Sequence, residues 1–283
     1  MVDLKAAVKA GTSFLLSRVE SGLCPEFGDQ LRHGASQAWT SACIGSTLSE
    51  VGIISTDVLD ALLSMQWSGG GWSYNQGVSP DADSTLRALQ FLNKIGFKDS
   101  SVISQAELFV AAHQQVDGGI ATFLPDLLSQ MGYPEGGWTI SHPCVTALAI
   151  NVLPDGKVRS KAVEYLASRA RAGDARSYWW RTQWYFRYEF GWINGDPVGS
   201  DPVELGLVLL TKAKLGLADA AATAELSKLQ LADGSFPASH QFRIPRPHQN
   251  LDDFTGDEEV VVDNTRILST AAAMIAIYRG PFK

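Results

Sequence analysis

The stretch Gln66-Trp67-Ser68-Gly69-Gly70-Gly71-Trp72 decides the fold, because it returns twice more along the chain. Its relatives are Gln114-Gln115-Val116-Asp117-Gly118-Gly119-Ile120 and Gln230-Leu231-Ala232-Asp233-Gly234-Ser235-Phe236. Each ends an apolar helical stretch and runs from Gln through glycine to a large apolar side chain. Glycine breaks a helix where left-handed backbone is needed, and the apolar residue then folds back onto the helix pair. Gly136-Gly137-Trp138 is a weaker relative. Recurrence of such a unit marks a repeat architecture.

After each turn comes a second helical stretch with Thr near its start and small and large apolar residues behind it. Thr85 to Leu92, Thr146 to Ile150 and Thr270 to Ile275 follow this pattern. Thr40-Ser41-Ala42-Cys43 and Glu204 to Leu210 are degenerate copies. Between them lie amphipathic partners, Asp57 to Met65, Gln105 to Ala112, Lys161 to Ser168 and Ala220 to Leu229, with apolar spacing near i, i+3, i+4 and i+7. Val260-Val261-Val262 alone has strand character. The spacing predicts an all-α chain in which residues 1–283 form one domain. About six helical hairpins with the second helix inward close into a single (α/α)6 barrel, although an open solenoid satisfies the same local rules.

Composition agrees. With 283 residues, 45% of them hydrophobic and 19% charged, the chain can bury a substantial core. Lys and Arg number 23 against 30 Asp and Glu, a net charge of −7 with no basic run, which argues against a nucleic-acid partner. Cys24, Cys43 and Cys144 stand far apart without a CxxC, so neither a disulfide framework nor an evident zinc site is expected, as suits a reducing cytoplasm. Phe14-Leu15-Leu16 is too short for a signal-peptide core or a membrane span. The expectation is a soluble cytoplasmic protein without a transmembrane segment. A peripheral membrane contact through a substrate or partner stays open.

One inner stretch begins with paired acids, Asp81-Ala82-Asp83-Ser84-Thr85, directly behind Ser79-Pro80. Together with the glycine-rich turns, it carries a family resemblance over nearly the whole chain. The turns resemble the QW motifs of squalene-hopene and oxidosqualene cyclases and the related turns of protein prenyltransferase β-subunits, families that share the (α/α)6 barrel. Class II terpene cyclases carry Asp-x-Asp-Asp-Thr, whose middle Asp donates the initiating proton. The resemblance therefore implies that Asp83 is the donor and Asp81 its supporting partner, with Ser84 in place of the last Asp. A chain with room for one barrel is similar to the monodomain class II cyclases that close prenylated aromatic acids into meroterpenoids. That implies a hydrophobic linear isoprenoid as substrate, a cationic polycyclisation and no cofactor.

The residues suit such chemistry. Protonating an alkene demands a strong acid that is still protonated at neutral pH. Ser79-Pro80-Asp81 reads as a helix start with Pro in the first turn, so a helix N-terminus would stabilise the Asp83 anion by about 0.3–1 kcal/mol. Desolvation opposes this and can raise a carboxyl pKa by roughly 3–5 units. The migrating cation needs aromatic faces, worth about 0.5–2 kcal/mol each. The run from Tyr178 to Trp192 is the densest supply. Trp67, Trp179, Trp180, Trp184, Tyr185 and Tyr188 are the candidate cavity aromatics, beside Ser84. Arg243, Arg246 and His248, on one long loop, are candidates to grip a substrate carboxylate or phosphate, with loop solubility as the alternative, and Arg181 is a further candidate for substrate binding. His142 either bonds Asp83 across the cavity or is a satisfied core histidine. Trp72, Trp138 and Phe236 read as structural stackers of the repeat.

Plainer readings stand beside these. Asp81 and Asp83 can be mere first-turn caps. Asp252, Asp253 and Asp257 resemble the metal-binding Asp-Asp-x-x-Asp of class I synthases with one residue too many. They would hold Mg²⁺ if the substrate carried a diphosphate, and a solvated acidic loop is the alternative. A zinc-dependent prenyltransferase needs an Asp-x-Cys that is not seen here. A sugar-active enzyme would need carboxylates further apart than Asp81 and Asp83. A non-catalytic lipid-binding toroid would lack a buried acid in its cavity. The long loop from Ala238 to Asp263 is the candidate lid.

Overall fold

Each of the three turns ends an outer helix and hands the chain to an inner one. The structure, a computed structural model, describes residues 3–26, 34–193, 199–256 and 258–280. The helices are α1 (Leu4–Leu16), α2 (Ala38–Glu50), α3 (Thr56–Ser64), α4 (Ala82–Lys94), α5 (Ser100–Ala112), α6 (Pro125–Gln130), α7 (Pro143–Val152), α8 (Lys157–Arg171), α9 (Trp184–Phe190), α10 (Pro202–Lys214), α11 (Ala220–Ser227) and α12 (Ile267–Arg279). Six of them, α2, α4, α7, α9, α10 and α12, pack neighbour to neighbour in that order, and α12 returns against α2. The ring is therefore closed, which decides between the toroid and the solenoid.

Burial separates the two layers. α2 and α12 bury ten residues each, including Ala, Ser and Thr that let the inner helices approach closely. α3, α5 and α8 bury two each and show their polar faces outward. α1 and α11 complete the outer layer, while the short α6 lies within the connection from α5 to α7. No outer helix precedes α10 among the described residues.

The glutamine and glycine of the repeat work between neighbouring hairpins. Gln66 Nε2 donates to Gly70 O (2.9 Å) and to Val102 O on the next outer helix (3.2 Å). Gln114 repeats this with Gly118 O (3.0 Å) and Val158 O (2.8 Å). Gln230 does so with Gly234 O (2.9 Å) and Ala7 O (2.8 Å), stapling the last outer helix to the first. Gly70 and Gly118 have φ of +89° and +91°, and a Cβ on either would stand 2.5 Å from a carbonyl oxygen of the next outer helix. Only glycine meets both demands.

Threonine fixes the register of the inner helices. Thr85 Oγ1 accepts from Trp72 N (2.9 Å), Thr146 Oγ1 from Ile120 N (2.8 Å) and Thr270 Oγ1 from Phe236 N (3.0 Å). In α2 the hydroxyl of Ser41 does the same for Cys24 N (2.8 Å). Counting two residues back from each of these anchors gives Asp83, Cys144, Leu268 and Trp39. These positions are equivalent in the ring.

Two antiparallel strand pairs cross the end of the ring where the inner helices begin. β1 (Trp72–Ser73) pairs with β2 (Pro80–Asp81), and β3 (Phe242–Ile244) with β4 (Glu259–Val261). The strand character expected at Val260–Val262 is thus found one residue earlier. Pro80 belongs to β2, not to the first helical turn: α4 starts at Ala82 with Asp81 as its N-cap. Among the described residues no helix is long and apolar enough to cross a membrane.

Candidate active site

A cavity of about 380 Å³ opens between the inner-helix N-termini and the β3–β4 loop. Asp81, Asp83 and Ser84 lie on its α4 side, and Phe242, Arg243, Ile244, Pro245, Arg246 and Pro247 run along the loop side. Its walls are aromatic: Trp39, Tyr74, Phe123, Tyr133, Trp138, Trp179 and Trp180. Trp138 stacks on Phe123 (5.6 Å) and tilts against Tyr133 (5.4 Å) and Trp179 (5.6 Å), so one side is a continuous π surface. Trp39, Trp180 and Phe242 form the floor, since the same three residues roof a smaller chamber of about 120 Å³ beneath.

The acids divide their tasks. Asp81 is buried and caps α4: its Oδ1 accepts from Ser84 N (2.7 Å) and its Oδ2 from Ser84 Oγ (2.7 Å). Burial pushes its carboxyl up to about 7, the Asp83 charge adds to this, and the bonds from Ser84 oppose it. Asp83, half-buried, faces the cavity. Its Oδ2 accepts from Trp39 Nε1 (3.1 Å), and Oδ1 has no hydrogen-bond partner among the described residues. Burial pushes this carboxyl up to about 6 against the pull of the Arg87 charge and the Trp39 hydrogen bond. The carboxyl thus lines the cavity with one oxygen already bonded by an indole N–H, the kind of donor that favours its anion. Ser84 serves Asp81 and leaves Asp83 to Trp39.

Comparison with solved structures accounts for the architecture. The chain has the fold of a type II terpene cyclase. MstE from Scytonema, in its apo form, superposes with a TM-score of 0.79 over 97% of each chain at 23% identity. A complex of an MstE variant with geranylgeranyl dihydroxybenzoate, its substrate, gives 0.79 over 98% of this chain and 97% of that one, at 21% identity. A crystal structure of a protein from Actinoplanes gives 0.87 over 98% of this chain and 99% of that one, at 23% identity. No family model and no curated protein sequence matches the chain.

Within this terpene-cyclase fold, the residues singled out in the sequence fall into three groups. Asp81, Asp83, Ser84, Trp179, Trp180, Arg243 and Arg246 line the cavity. Arg243 is engaged, however: its guanidinium donates to the carbonyls of Tyr178 (2.9 Å) and Ser177, stands 4.3 Å over the Phe254 ring and 3.8 Å from Glu258. It anchors the loop rather than offering a free cation. Arg246 is exposed at the mouth and has no ion pair among the described residues. Tyr185 and Tyr188 lie below the floor, lining the lower chamber.

The third group stands outside both chambers. Trp67 is exposed, donating to Ser73 Oγ (3.2 Å), and so is Arg181, donating to His240 O (3.3 Å). Trp184 packs under Arg187. His142 does not reach Asp83. Its Nε2–H donates to Gly137 O (2.6 Å), and Nδ1 accepts from Thr122 Oγ1 (2.5 Å), which itself accepts from Trp179 Nε1 (2.8 Å). Burial holds this imidazole down at about 3, so it is a neutral core histidine that orients Trp179.

The acidic loop does not gather a metal site among the described residues. Asp252 pairs with Arg176 (2.7 Å) and Asp253 accepts from Asn250 N (2.8 Å), while Asp257 lies outside the described residues. No three His, Cys, Asp or Glu side chains converge among the described residues.

Sequence reasoning missed Trp39, Tyr74, Phe123, Tyr133 and Phe242, and took Trp138 for a stacker only. The structure corrects the last of these. Trp138 Nε1 donates to Pro245 O (3.0 Å) and its backbone N to Pro247 O (3.1 Å), so it holds the mouth loop as well as lining the cavity. A Cβ on Gly137 would collide with the Gln249 carbonyl, which explains the glycines before it. Trp39 was within reach of the repeat, since it stands two residues before Ser41 as Asp83 does before Thr85.

Proposed function

We propose that the chain is a class II terpene cyclase that protonates a terminal isoprene double bond and drives cationic polycyclisation of a linear isoprenoid. The observation that carries this reading is Asp83: a raised carboxyl, one oxygen bonded by an indole N–H, lining a cavity walled by aromatic rings. A lipid-binding toroid has no use for such an acid, and burying one without function costs stability.

The Asp83 O–H bond breaks and its proton adds to the terminal alkene, leaving a tertiary cation. Successive π pairs attack this cation, closing rings, and loss of a proton restores a double bond in a product isomeric with the substrate. The ring faces of Trp138, Trp179, Trp180 and Phe123 stabilise the cation by about 0.5–2 kcal/mol each without trapping it. The β3–β4 loop, held down by Trp138, excludes water that would quench it. The departing proton leaves Asp83 as an anion with Trp39 already in place.

A prenylated aromatic acid is the substrate class we infer. The MstE complexes offer the precedent with geranylgeranyl dihydroxybenzoate, and Arg246 at the mouth of this cavity is placed to meet a carboxylate. Incubation with prenylated hydroxybenzoates and isoprenoid diphosphates, followed by mass spectrometry, tests the proposal. An isomer of unchanged mass formed by the wild type and not by Asp83→Asn supports it. The absence of any isomer across the panel overturns it.

A further inference from the structure

Arg87 lies one turn along α4 from Asp83 and has no part in the mechanism above. It is 6% exposed, and two aromatic rings flank it. Its guanidinium carbon stands 5.2 Å over the Trp39 ring and 5.3 Å over the Tyr185 ring. It donates to Tyr185 Oη and to Gln90 Oε1 (3.0 Å), its Nε has no partner, and the Glu189 carboxylate is 3.9 Å away. Glu189 in turn accepts from Asn151 (3.0 Å). A guanidinium so loosely paired is an expensive resident of a ring interior, where an apolar side chain would pack without penalty. Its Trp39 neighbour is the residue that donates to Asp83.

We propose that Arg87 is a positioning residue for the acid: it fixes the Trp39 indole from below and supplies the positive charge that stabilises the Asp83 carboxylate once the proton has left. A cation over the indole face strengthens the N–H as a donor, and its field acts on Asp83 directly through a dry medium where Coulomb interactions fall off slowly. Asp83 is then the stronger acid for the presence of Arg87. The burial that keeps the acid protonated and the cation that makes it willing to release the proton come from different residues. The register of the ring builds this pairing, because Trp39 and Asp83 hold equivalent places on adjacent inner helices.

Other titratable groups surround Asp83: Asp81 as the N-cap of its helix, Cys144 on α7, Tyr185 and Glu189 on α9, and Tyr74, Tyr133, Arg243, Arg246 and Glu259 on the cavity wall. Cys144 and Tyr185 are held neutral by burial. Arg87 is therefore the cation whose removal should be felt most, and its pull on Asp83 is the foremost force opposing burial.

The inference rests on the cyclase reading for its purpose but not for its test. The Asp83 carboxyl is followed by ¹³C NMR, assigned through Asp83→Asn, in the wild type, Arg87→Met and Arg87→Lys. Arg87→Met should raise the Asp83 midpoint by about one pH unit or more, and Arg87→Lys should leave it near the wild-type value. In turnover, Arg87→Met should lower kcat by roughly three- to tenfold with KM little changed, and the alkaline limb should move up with the midpoint. Arg87→Gln, which keeps a donor for Tyr185, is the second neutral variant should the methionine form not fold. An unmoved midpoint in a folded neutral variant overturns the proposal, as does loss of the shift-free behaviour in Arg87→Lys. A moved midpoint in a protein that cyclises nothing leaves the coupling standing and removes the cyclase reading alone.

Discussion

Two buried carboxyl sites sit beside inner helices and use the same device. Asp81 accepts from Ser84 N and Ser84 Oγ just before Thr85, and Asp263 accepts from Ser269 N and Ser269 Oγ (2.6 Å each) just before Thr270. Both carboxyls are pushed up, first by burial and then by a neighbouring acid, Asp83 in one case and Glu26 in the other. They differ in what stands two residues before the threonine. At the first site it is Asp83, open to the cavity and bonded by Trp39; at the second it is Leu268. On the proposed mechanism, a buried acid with a raised pKa is not enough for proton donation. It also needs to line a cavity and to have groups that hold the anion afterwards. The second site instead joins Glu26, near the start of the chain, to the segment leading into α12, and so it bolts the ring where it closes.

Asp83→Asn should break the symmetry most. Turnover should fall at least about a thousandfold while the thermal midpoint changes little, because the amide keeps the Trp39 bond but has no acidic proton. Substantial residual activity would move the proton donor to Asp81 or elsewhere.

The pH dependence of the wild type sharpens the same point. On the proposed mechanism Asp83 must be protonated to act, so kcat/KM should fall tenfold per pH unit above a midpoint near the value of about 6 to which burial raises it. The kcat limb should lie higher, because a bound apolar substrate dries the cavity further. A rate that rises through this range would make Asp83 a base.

The repeat was legible because glutamine, glycine and threonine each meet one backbone need that no other residue meets as well, and they meet it in every copy. The acid pair was legible for a similar reason, standing at a fixed offset from Thr85. The aromatic wall was not. Tyr185 and Trp180 are five residues apart in one dense run and stack on each other at 4.2 Å, yet Trp180 is floor of the cavity and Tyr185 lines the chamber beneath alone. Phe242 and Trp39 reach the same floor from opposite ends of the chain. Periodicity reports which face of a helix is buried, but not which chamber the buried face adjoins.

The serines test the shared device at a smaller scale. Ser84→Ala and Ser269→Ala each remove one hydroxyl from a buried carboxyl and leave the backbone N–H in place. Each should lower stability by about 0.5–1.5 kcal/mol, readable as a drop of a few degrees in Tm. Ser84→Ala alone should also slow turnover, by roughly three- to tenfold, because Ser84 lines the cavity and fixes the carboxyl that caps α4 just ahead of Asp83. Equal kinetic effects from both would show that the second site communicates with the first.

The smallest effect is expected from Asp263→Asn, and it is visible in stability alone. An ordinary carboxyl in the unfolded chain is half ionised near about pH 4 and has released its proton by about pH 5, whereas burial, the Glu26 charge and the Glu26 hydrogen bond hold the proton on Asp263 in the folded protein. The folded state therefore binds more protons than the unfolded one, and this site's contribution to stability drains away as pH rises from the ordinary carboxyl range to the raised one. Asparagine carries no such proton, can still accept from Ser269 and can donate its amide to Glu26. The variant should match the wild type at about pH 5, lose Tm less steeply towards pH 8, and differ there by about 2–4 °C for each kcal/mol retained. Parallel Tm curves would mean that the shared proton contributes nothing to closing the ring, and the likeness between the two sites would reduce to a common hydrogen-bond pattern.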